Sequence, residues 1–264
     1  MNYIRIIFRE FAYAYNTRKI WSYTATSRTK ARFSRTILGS FWLGLSNLLS
    51  ILALGMVYGT VFRVDDFKSY FLYLGFGLVI WNTISSSIIS APQLFSQNSA
   101  NIRNMNIRPI FYTFEEWGFQ LQTFLQSFGL VFIVLSIIKP SIIFNPIFSI
   151  WLPILNLIIF IYWFPLIICL LGTWYRDFSQ LVPVVLHIVF LISPILYQKD
   201  SLGSLDWIVK INFIFQILEP LRDSILVGNI DYKIVISMLI FNIAGCLSSV
   251  LLLNRYQKSL PFLV

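Results

Sequence analysis

Six long apolar runs, each free of lysine, arginine, aspartate and glutamate, dominate the chain. They cover residues 38–62, 70–91, 117–138, 147–172, 181–197 and 234–253. A helix needs about 20 mostly apolar residues to cross the hydrocarbon core of a bilayer. The fifth run is the shortest and contains Pro183 and Pro194, which a bundle tolerates where neighbouring groups satisfy the freed backbone atoms. The runs therefore predict an all-α integral membrane protein with six transmembrane helices.

Basic residues are distributed unequally between the segments that flank these runs. If all six runs cross, one side of the membrane holds 13 basic and four acidic residues, a net charge of +9. The other side holds seven basic and seven acidic residues. Because cytoplasmic loops carry the excess of lysine and arginine, we predict that the basic side is cytoplasmic and holds both termini. Topology and anionic lipid then account for the charge, and no nucleic acid is indicated as a partner.

Residues 1–37 form a predicted cytoplasmic segment before the first run. Apolar residues recur at helical spacing from Ile4 to Tyr15, with basic residues elsewhere on the wheel. This pattern predicts an amphipathic helix in the membrane interface. Residues 38–253 form the predicted transmembrane domain, and residues 254–264 form a cytoplasmic tail. Four further cations lie among aromatic residues, as is typical of the headgroup layer: Arg28, Lys30, Arg32 and Arg35.

Two polar segments between the runs allow more than one interpretation. The 92–116 segment places two arginines among asparagines and apolar residues. This composition suits either a short cytoplasmic helix that docks in a partner's groove or a solvated connecting loop. The 198–233 segment contains an apolar stretch, residues 211–218, that is too short to cross a bilayer. Such a stretch beside a polar break predicts a re-entrant or interfacial element.

The sequence lacks the patterns of several common sites. It contains no Gly-x-x-x-x-Gly-Lys-Ser/Thr motif for nucleotide phosphates, and no His, Cys, Asp and Glu set with the spacing of metal ligands. The six runs also contain no lysine, arginine, aspartate or glutamate, on which ion-coupled transporters usually depend, and the single histidine, His187 in the fifth run, has no acidic partner within the runs. Aromatic residues make up 17% of the chain, and aromatic faces with polar edges suit sugars. Four of them are candidates for a transport path: Trp42, Tyr58, Trp81 and Tyr197.

Several segments resemble, in order, the motifs of one family, the permease subunits of ABC-2 type exporters for polysaccharides such as O-antigen, capsule and teichoic acid. RFSRTILGSFWL, from residue 32, is similar to RYRRTxLGxxWL, and GLVIWN with the following SSS is similar to GLxxWxxFSSS. NSANIR is similar to NANLIKK, RDFSQLVP to RDxxxLVP, and SPILY to TPVxY. Asn212 followed by Arg222-Asp223 is similar to NP…yRd. Phe213 departs from the family's proline, and Asn104 departs from its second basic residue.

The resemblance implies a homodimer in the bacterial cytoplasmic (inner) membrane. Each copy would dock on a separate ABC ATPase subunit that binds ATP and magnesium, so this chain itself would have no cofactor and no catalytic residue. The resemblance also implies a conduit between the first and fifth helices, and an entrance for a lipid-linked glycan at the four amino-terminal cations. The implied coupling helix uses Ile102, Arg103, Met105, Ile107 and Arg108, and the implied outer gate, in the re-entrant loop between the fifth and sixth helices, uses Asn212, Glu219 and Arg222.

We therefore predict the transmembrane subunit of an ATP-driven polysaccharide exporter, with O-antigen export in lipopolysaccharide biosynthesis as an example. One alternative is an ABC-2 permease for another cargo, such as a drug or a lipid. Another is a membrane-embedded lipid-modifying enzyme, which would need paired polar catalytic residues at a span end. Arg176 and Asp177 are the intracellular pair of note, and we expect a structural ion pair there.

Overall fold

The computed structural model describes residues 3–105, 107–199 and 206–263, and every regular element in these ranges is helical. This confirms the predicted all-α class. Single 3-10 turns cover residues 91–93 and 140–143. The α-helices are α1 (Tyr3–Asn16), α2 (Arg18–Phe33), α3 (Phe41–Val61), α4 (Phe67–Ser90), α5 (Leu94–Gln97), α6 (Ser99–Asn104), α7 (Ile110–Ile138), α8 (Pro146–Ser149), α9 (Trp151–Trp174), α10 (Phe178–Ile192), α11 (Asp206–Ile211), α12 (Phe213–Leu226), α13 (Tyr232–Tyr256) and α14 (Leu260–Leu263).

Five helices are long and apolar enough to cross a membrane, namely α3, α4 with its continuation to Gln97, α7, α9 and α13. The fifth predicted span corresponds to α10, which has only 15 residues. Its chain nevertheless follows α4 closely: Phe190 packs on Trp81 with ring centroids 5.4 Å apart. Beyond the helix, the Leu196 carbonyl accepts a hydrogen bond of 2.6 Å from the Tyr70 hydroxyl. Residues 190–196 therefore lie along the first half of α4, from Tyr70 to Trp81.

The bundle has two distinct ends. At one end, which we call the α1 end, α1 meets the segment just before α7 and the last turn of α13. Glu10 ties these elements together, because its Oε1 accepts hydrogen bonds from Arg108 at 3.4 Å and from Asn254 at 3.1 Å. At the other end, the α8 end, Asn145 Nδ2 donates to the Leu226 carbonyl at 2.9 Å. The first helix and the end of α13 thus lie at the same end of the bundle.

Glycines allow α3 to approach α4 closely. A Cβ atom at Gly55 would lie 2.7 Å from the ring of Phe71, and one at Gly59 would lie 2.7 Å from the ring of Phe67. Small residues four apart commonly form such contacts between membrane helices, where close packing replaces the hydrophobic effect. Outside this stripe, α3 is mostly exposed. The exposed face of α3 must therefore meet lipid, water or another protein.

Helices α9 and α13 are joined by buried polar side chains. Asn242 donates to Asn156 Oδ1 at 2.9 Å and accepts from Trp163 Nε1 at 3.0 Å, while Asn156 donates to the Val235 carbonyl at 2.9 Å. Gly245 lets the Trp163 ring lie against the backbone of α13. Because a bilayer offers polar groups no water, these reciprocal bonds fix one register between the two helices.

The structure moves several predicted helix limits. α4 begins at Phe67, because the Asp66 side chain caps it by accepting from Ser69 N at 3.1 Å. Hydrogen bonds from Ser69 lower the pKa of this exposed carboxyl. α7 begins at Ile110 rather than at residue 117, so that Glu115 and Glu116 lie within it. The predicted run began only after these two carboxylates, whereas tertiary partners described below satisfy Glu116 inside the bundle.

The 14-residue helix α12 is inserted among the long helices. Its first residue, Phe213, packs on Phe160 and Phe164 at the middle of α9, with centroids 5.9 and 5.5 Å away. Its last residue, Leu226, lies at the α8 end against Asn145. The helix therefore runs from the interior of the bundle outward. Residues 200–205, which belong to the predicted re-entrant loop, lie outside the described residues.

Candidate functional site

Polar side chains from α3, α4 and α7 converge on one cavity between these helices. Asn82 donates to Asn47 Oδ1 at 2.6 Å, and Asn47 in turn donates to the Ser127 hydroxyl. Ser86 donates to Gln120 Oε1 at 2.9 Å. The polar cavity, as we call it, has a volume of about 250 Å³ and is lined by Arg32, Leu43, Ser46, Asn47, Val79, Asn82, Thr83, Ser86, Phe119, Gln120, Thr123, Phe124 and Ser127.

Helical spacing accounts for this arrangement. Asn82 and Ser86 are four residues apart, as are Gln120 and Phe124, so each pair lies on one face of its helix. Ile89 continues the α4 face, and Asn82, Ser86 and Ile89 are all exposed in the single chain. α4 contacts both α3 and α7, and its exposed polar residues hydrogen-bond side chains of those two helices. The exposed polar face of α4 thus lies on an open side of the subunit, at the polar cavity.

A charged cluster lies next to the polar cavity, toward the α1 end. Glu116, which is only 5% exposed, accepts from Arg28 at 2.6 Å and from both Ser90 and Gln120 at 2.8 Å. The Arg28 guanidinium also lies over the ring of Phe119, 4.3 Å from its centroid. Charge-assisted hydrogen bonds of this kind are stronger than neutral ones. They join α2, α4 and α7 at one point.

The predicted entrance residues occupy two environments. Arg28 is bound to Glu116 as described, which gives it a structural contact. Lys30, Arg32 and Arg35 are exposed, and Arg32 also lines the polar cavity. The structure therefore places one of the four cations beside the cavity and another within the charged cluster.

The predicted coupling residues lie around α6 and the turn that follows it. Ile102 is buried, whereas Arg103 and Met105 are exposed. Ile107 and Arg108 are half-buried, and Arg108 is held by Glu10. The short α14 packs against α6 and buries Leu260. Of the five residues, Met105 is the exposed apolar one, with 53% of its surface accessible.

The four aromatic path candidates are not brought together. Trp42 is exposed at the start of α3, while Tyr58 stacks on Phe62 near the other end of that helix, with centroids 5.6 Å apart. Trp81 is buried against Phe190. Tyr197 is half-buried and donates to the Ile192 carbonyl at 2.7 Å.

The three predicted gate residues belong to α12 and its cap. Asn212 accepts from Phe215 N at 3.2 Å and donates to the Ser193 hydroxyl at 2.6 Å. Glu219 is 3.6 Å from the Lys199 ammonium. Arg222 is 1% exposed.

Arg222 is held by an aromatic ring and a backbone carbonyl. Its guanidinium lies 3.7 Å from the centroid of the Tyr73 ring and donates to the Pro194 carbonyl at 3.1 Å. Its Nε is 3.8 Å from Asp223 Oδ1, too far for a hydrogen bond. Because Pro194 follows the end of α10, Arg222 satisfies a carbonyl that the break in the helix leaves free.

The uncharged polar residues of the polar cavity were not among the predicted site residues. Asn47, Asn82, Ser86 and Gln120 are uncharged, so they did not interrupt the apolar runs. Their spacing on α4 and α7 was the available signal, since polar residues repeated on one face of a membrane helix indicate a protein or water contact. Which helices would share that contact could not be inferred from spacing alone.

Comparisons with known proteins agree with this architecture. The family model described as "ABC-2 type transporter" matches residues 26–226, more than half of the chain. A protein named O-antigen export system permease protein RfbA, from Klebsiella pneumoniae, is 23% identical over 230 residues, which cover 87% of each chain. A second Klebsiella pneumoniae protein of that name is 22% identical over 210 residues, covering 77% of this chain and 79% of the relative. The chain, a multi-pass membrane protein by its apolar helices, therefore belongs to the ABC-2 type transporter family.

Proposed function

We propose that this chain is the transmembrane subunit of a polysaccharide exporter that is driven by ATP hydrolysis in a separate subunit. The observation that carries the proposal is the similarity to O-antigen export permeases over 87% of the chain. The uncharged polar lining of the cavity between α3, α4 and α7 also supports it, because sugar hydroxyl groups both donate and accept hydrogen bonds. Among the predicted cargoes, a neutral glycan such as an uncharged O-antigen fits this chemistry best.

The proposed membrane arrangement has six crossings, with α10 as the fifth. The contacts of residues 190–196 along α4 support this count, although α10 itself is short. α12 is the re-entrant element, since it starts in the interior of the bundle and ends at the α8 end. The α1 end is the cytoplasmic one in this proposal, because it carries the basic amino-terminal segment. The membrane is the bacterial inner membrane, and a second copy completes the conduit.

The proposed coupling route begins at α6. An ATPase subunit docks on the exposed surface around Arg103 and Met105, and its movement is transmitted to α4 through α5. The packing of α5 against α7 and α9 supports this route. The bundle then shifts between discrete packings. Lys30, Arg32 and Arg35 attract the phosphate groups of a lipid-linked glycan electrostatically, and α12 closes the path at the α8 end.

A gene deletion tests the proposal. Cells without this chain are expected to lose polysaccharide from their surface and to accumulate the same glycan inside, and the normal gene should restore both. The control is a chain with an exposed substitution remote from the polar cavity, such as Phe148→Leu. Unchanged surface polysaccharide in the deletion strain contradicts the proposal and favours another cargo, such as a drug or a lipid.

A further inference from the structure

We infer that the polar cavity between α3, α4 and α7 is a sugar-binding site, in which Asn47, Asn82, Ser86 and Gln120 hydrogen-bond the hydroxyl groups of the passing glycan. The inference rests on the proposed function and extends it from the cargo class to the residues that contact the cargo. It assigns contact with the glycan to neutral amide and hydroxyl groups rather than to the four aromatic residues that the sequence suggested.

The position of the amide pair is the first argument. Asn47 lies six residues into α3, about 9 Å along its axis at 1.5 Å per residue, and Asn82 lies well inside α4. Both are at hydrocarbon depth in a chain that spans a bilayer. Polar side chains at this depth face a bundle interior, a water-filled cavity or another protein rather than lipid. Because Asn82 and Ser86 are exposed in the single chain, their faces must meet a water-filled path or another protein rather than lipid.

The chemistry of the lining is the second argument. Asn47, Asn82 and Gln120 each supply both amide donors and a carbonyl acceptor, and Ser86 supplies a hydroxyl that can do either. Among the lining residues, Arg32 is the one with a charged side chain. A path for ions would need fixed charge or a ring of carbonyl groups. A lining of neutral groups with mixed donors and acceptors instead matches a polyhydroxylated, uncharged ligand.

Two aromatic rings complete the match. Phe119 and Phe124 line the same cavity as the amides. A sugar ring has an apolar face of C–H groups and an equatorial rim of hydroxyls, so a site with aromatic rings and amides can meet both parts. The volume of about 250 Å³ lies below the roughly 300–1,000 Å³ that is usual for drug-sized ligands. It therefore suits about one sugar residue at a time.

Accessibility to water is tested with single cysteines. Cys169 and Cys246 are first replaced by alanine, and Ser86→Cys or Asn82→Cys is then introduced. A charged, membrane-impermeant thiol reagent should modify both positions in inside-out vesicles. Leu125→Cys, at a position that is 61% exposed on α7, is the lipid-facing control and should stay unmodified. Equal protection of all three positions would show that the cavity is dry and would overturn the inference.

Contact with glycan is tested by photocrosslinking. A benzoylphenylalanine residue is placed at position 86, with position 125 as the control, in cells that make the polysaccharide and in cells that cannot. The expected result is an adduct at position 86 that stains for carbohydrate and appears in the producing cells alone. Adducts to a second copy of this chain, or no adduct at position 86 in cells that still export, would overturn the inference and leave the proposed function standing.

Export measurements complete the test. Asn82→Leu, which removes the amide and keeps the size, should lower surface polysaccharide roughly tenfold at equal membrane abundance, the effect of losing one hydrogen bond to the ligand. Asn82→Gln should retain most of the export, because the amide remains. Leu125→Ile, on the exposed face of α7, is the matched control. Equal export by all three variants would contradict the inference, whereas loss of surface polysaccharide in the deletion strain would still support the proposed function.

Discussion

At the scale of single residues, the bundle depends on a few polar groups that are satisfied away from water. Glu116 has three donors, and Asn242 bonds both Asn156 and Trp163. Removing one partner of such a group leaves the other buried and unpaired, which costs more free energy than the bond itself contributes. The following two predictions use this asymmetry.

Replacing Arg28 should destabilise the protein more than replacing a neighbouring cation. Arg28→Met leaves the buried Glu116 without its counter-ion, and we expect a loss of about 1–3 kcal/mol in the free energy of unfolding. Arg32→Met, in the same helix and also exposed but at the polar cavity rather than on Glu116, should change it by less than about 0.5 kcal/mol. Thermal unfolding in detergent measures both. Equal melting temperatures of the two variants would contradict the proposed contribution of the Arg28–Glu116 pair to stability.

Replacing Asn242 should weaken the packing of α9 against α13. Asn242→Leu leaves the Trp163 N–H and the side-chain oxygen of Asn156 without these partners. We expect a loss of about 1–3 kcal/mol in the free energy of unfolding. The adjacent exposed position provides the control, Ile243→Leu. Tryptophan fluorescence during chemical denaturation measures the free energy of unfolding of both variants, with Trp163 among the eight tryptophans that contribute to the signal. A variant as stable as the control would show that the triad is dispensable.

Sequence reasoning predicted the residues of these clusters poorly, for a physical reason. The third predicted run starts only after Glu115 and Glu116, because burying a charged side chain in a membrane span costs free energy unless it has a partner. The partner of Glu116, Arg28, lies 88 positions away in the sequence. Helical spacing predicts neighbours within one helix, whereas the pairing of α2 with α7 is a tertiary contact that no local pattern encodes.

At the level of secondary structure, the elbow that connects α4 to α6 (residues 91–97) packs directly against α9. A Cβ atom at Gly172 would lie 2.5 Å from backbone atoms of Pro92, so the 91–93 turn and α9 can touch only because this residue has no side chain. The coupling segment follows directly after the elbow. The placement of α6 therefore depends on a backbone contact within the bundle.

Substitution of Gly172 by alanine should displace the elbow. Because the nearest atoms of Pro92 are backbone atoms, which cannot rotate away, we expect Gly172→Ala to lower the free energy of unfolding by about 1–3 kcal/mol. Gly129→Ala, where a Cβ would meet no atom within 4 Å, should instead raise it by up to about 1 kcal/mol through helix propensity. Chemical denaturation of both variants measures the contrast, and effects of the same sign would refute the assigned contact.

The short carboxyl-terminal helix should hold α6 in place. Leu260→Asn removes the buried apolar contact of α14, so amide hydrogen exchange in residues 99–104 should become faster. Phe262→Asn is the control, because Phe262 is 89% exposed and supports no packing. Mass spectrometry of proteolytic fragments measures the exchange. Unchanged exchange in the Leu260 variant would mean that α6 is stable without the tail.

The elements themselves were predicted well where periodicity and length suffice. All six apolar runs correspond to helices, and the amphipathic pattern from Ile4 to Tyr15 corresponds to α1. The 14-residue helix α12 was harder, because its apolar stretch indicated an element too short to cross but not the partners Phe160 and Phe164. Its depth is set by aromatic packing between distant segments, which a local pattern does not contain.

At the scale of the whole molecule, an even number of crossings predicts the accessibility of each loop. Single cysteines at Phe144 and Asn229, both exposed at the α8 end, should react with an impermeant reagent on intact spheroplasts. Cysteines at Arg176 and Lys258, exposed at the α1 end, should react only after permeabilisation. Labelling of Arg176 and Asn229 from the same side would refute the proposed topology and remove α10 from the count of crossings.

The anchoring of the chain just beyond α10 limits how that helix can swing. The backbone carbonyls of Pro194, Leu196 and Tyr197 accept hydrogen bonds from the side chains of Tyr70, Tyr73 and Arg222. Much of the helix before that anchor is exposed along one side. A rod fastened at one tip pivots about the fastening, so its free tip sweeps the widest arc. Any tilting of α10 would accordingly widen the subunit most at the α1 end, beside the proposed docking surface of the ATPase, and least at the far rim.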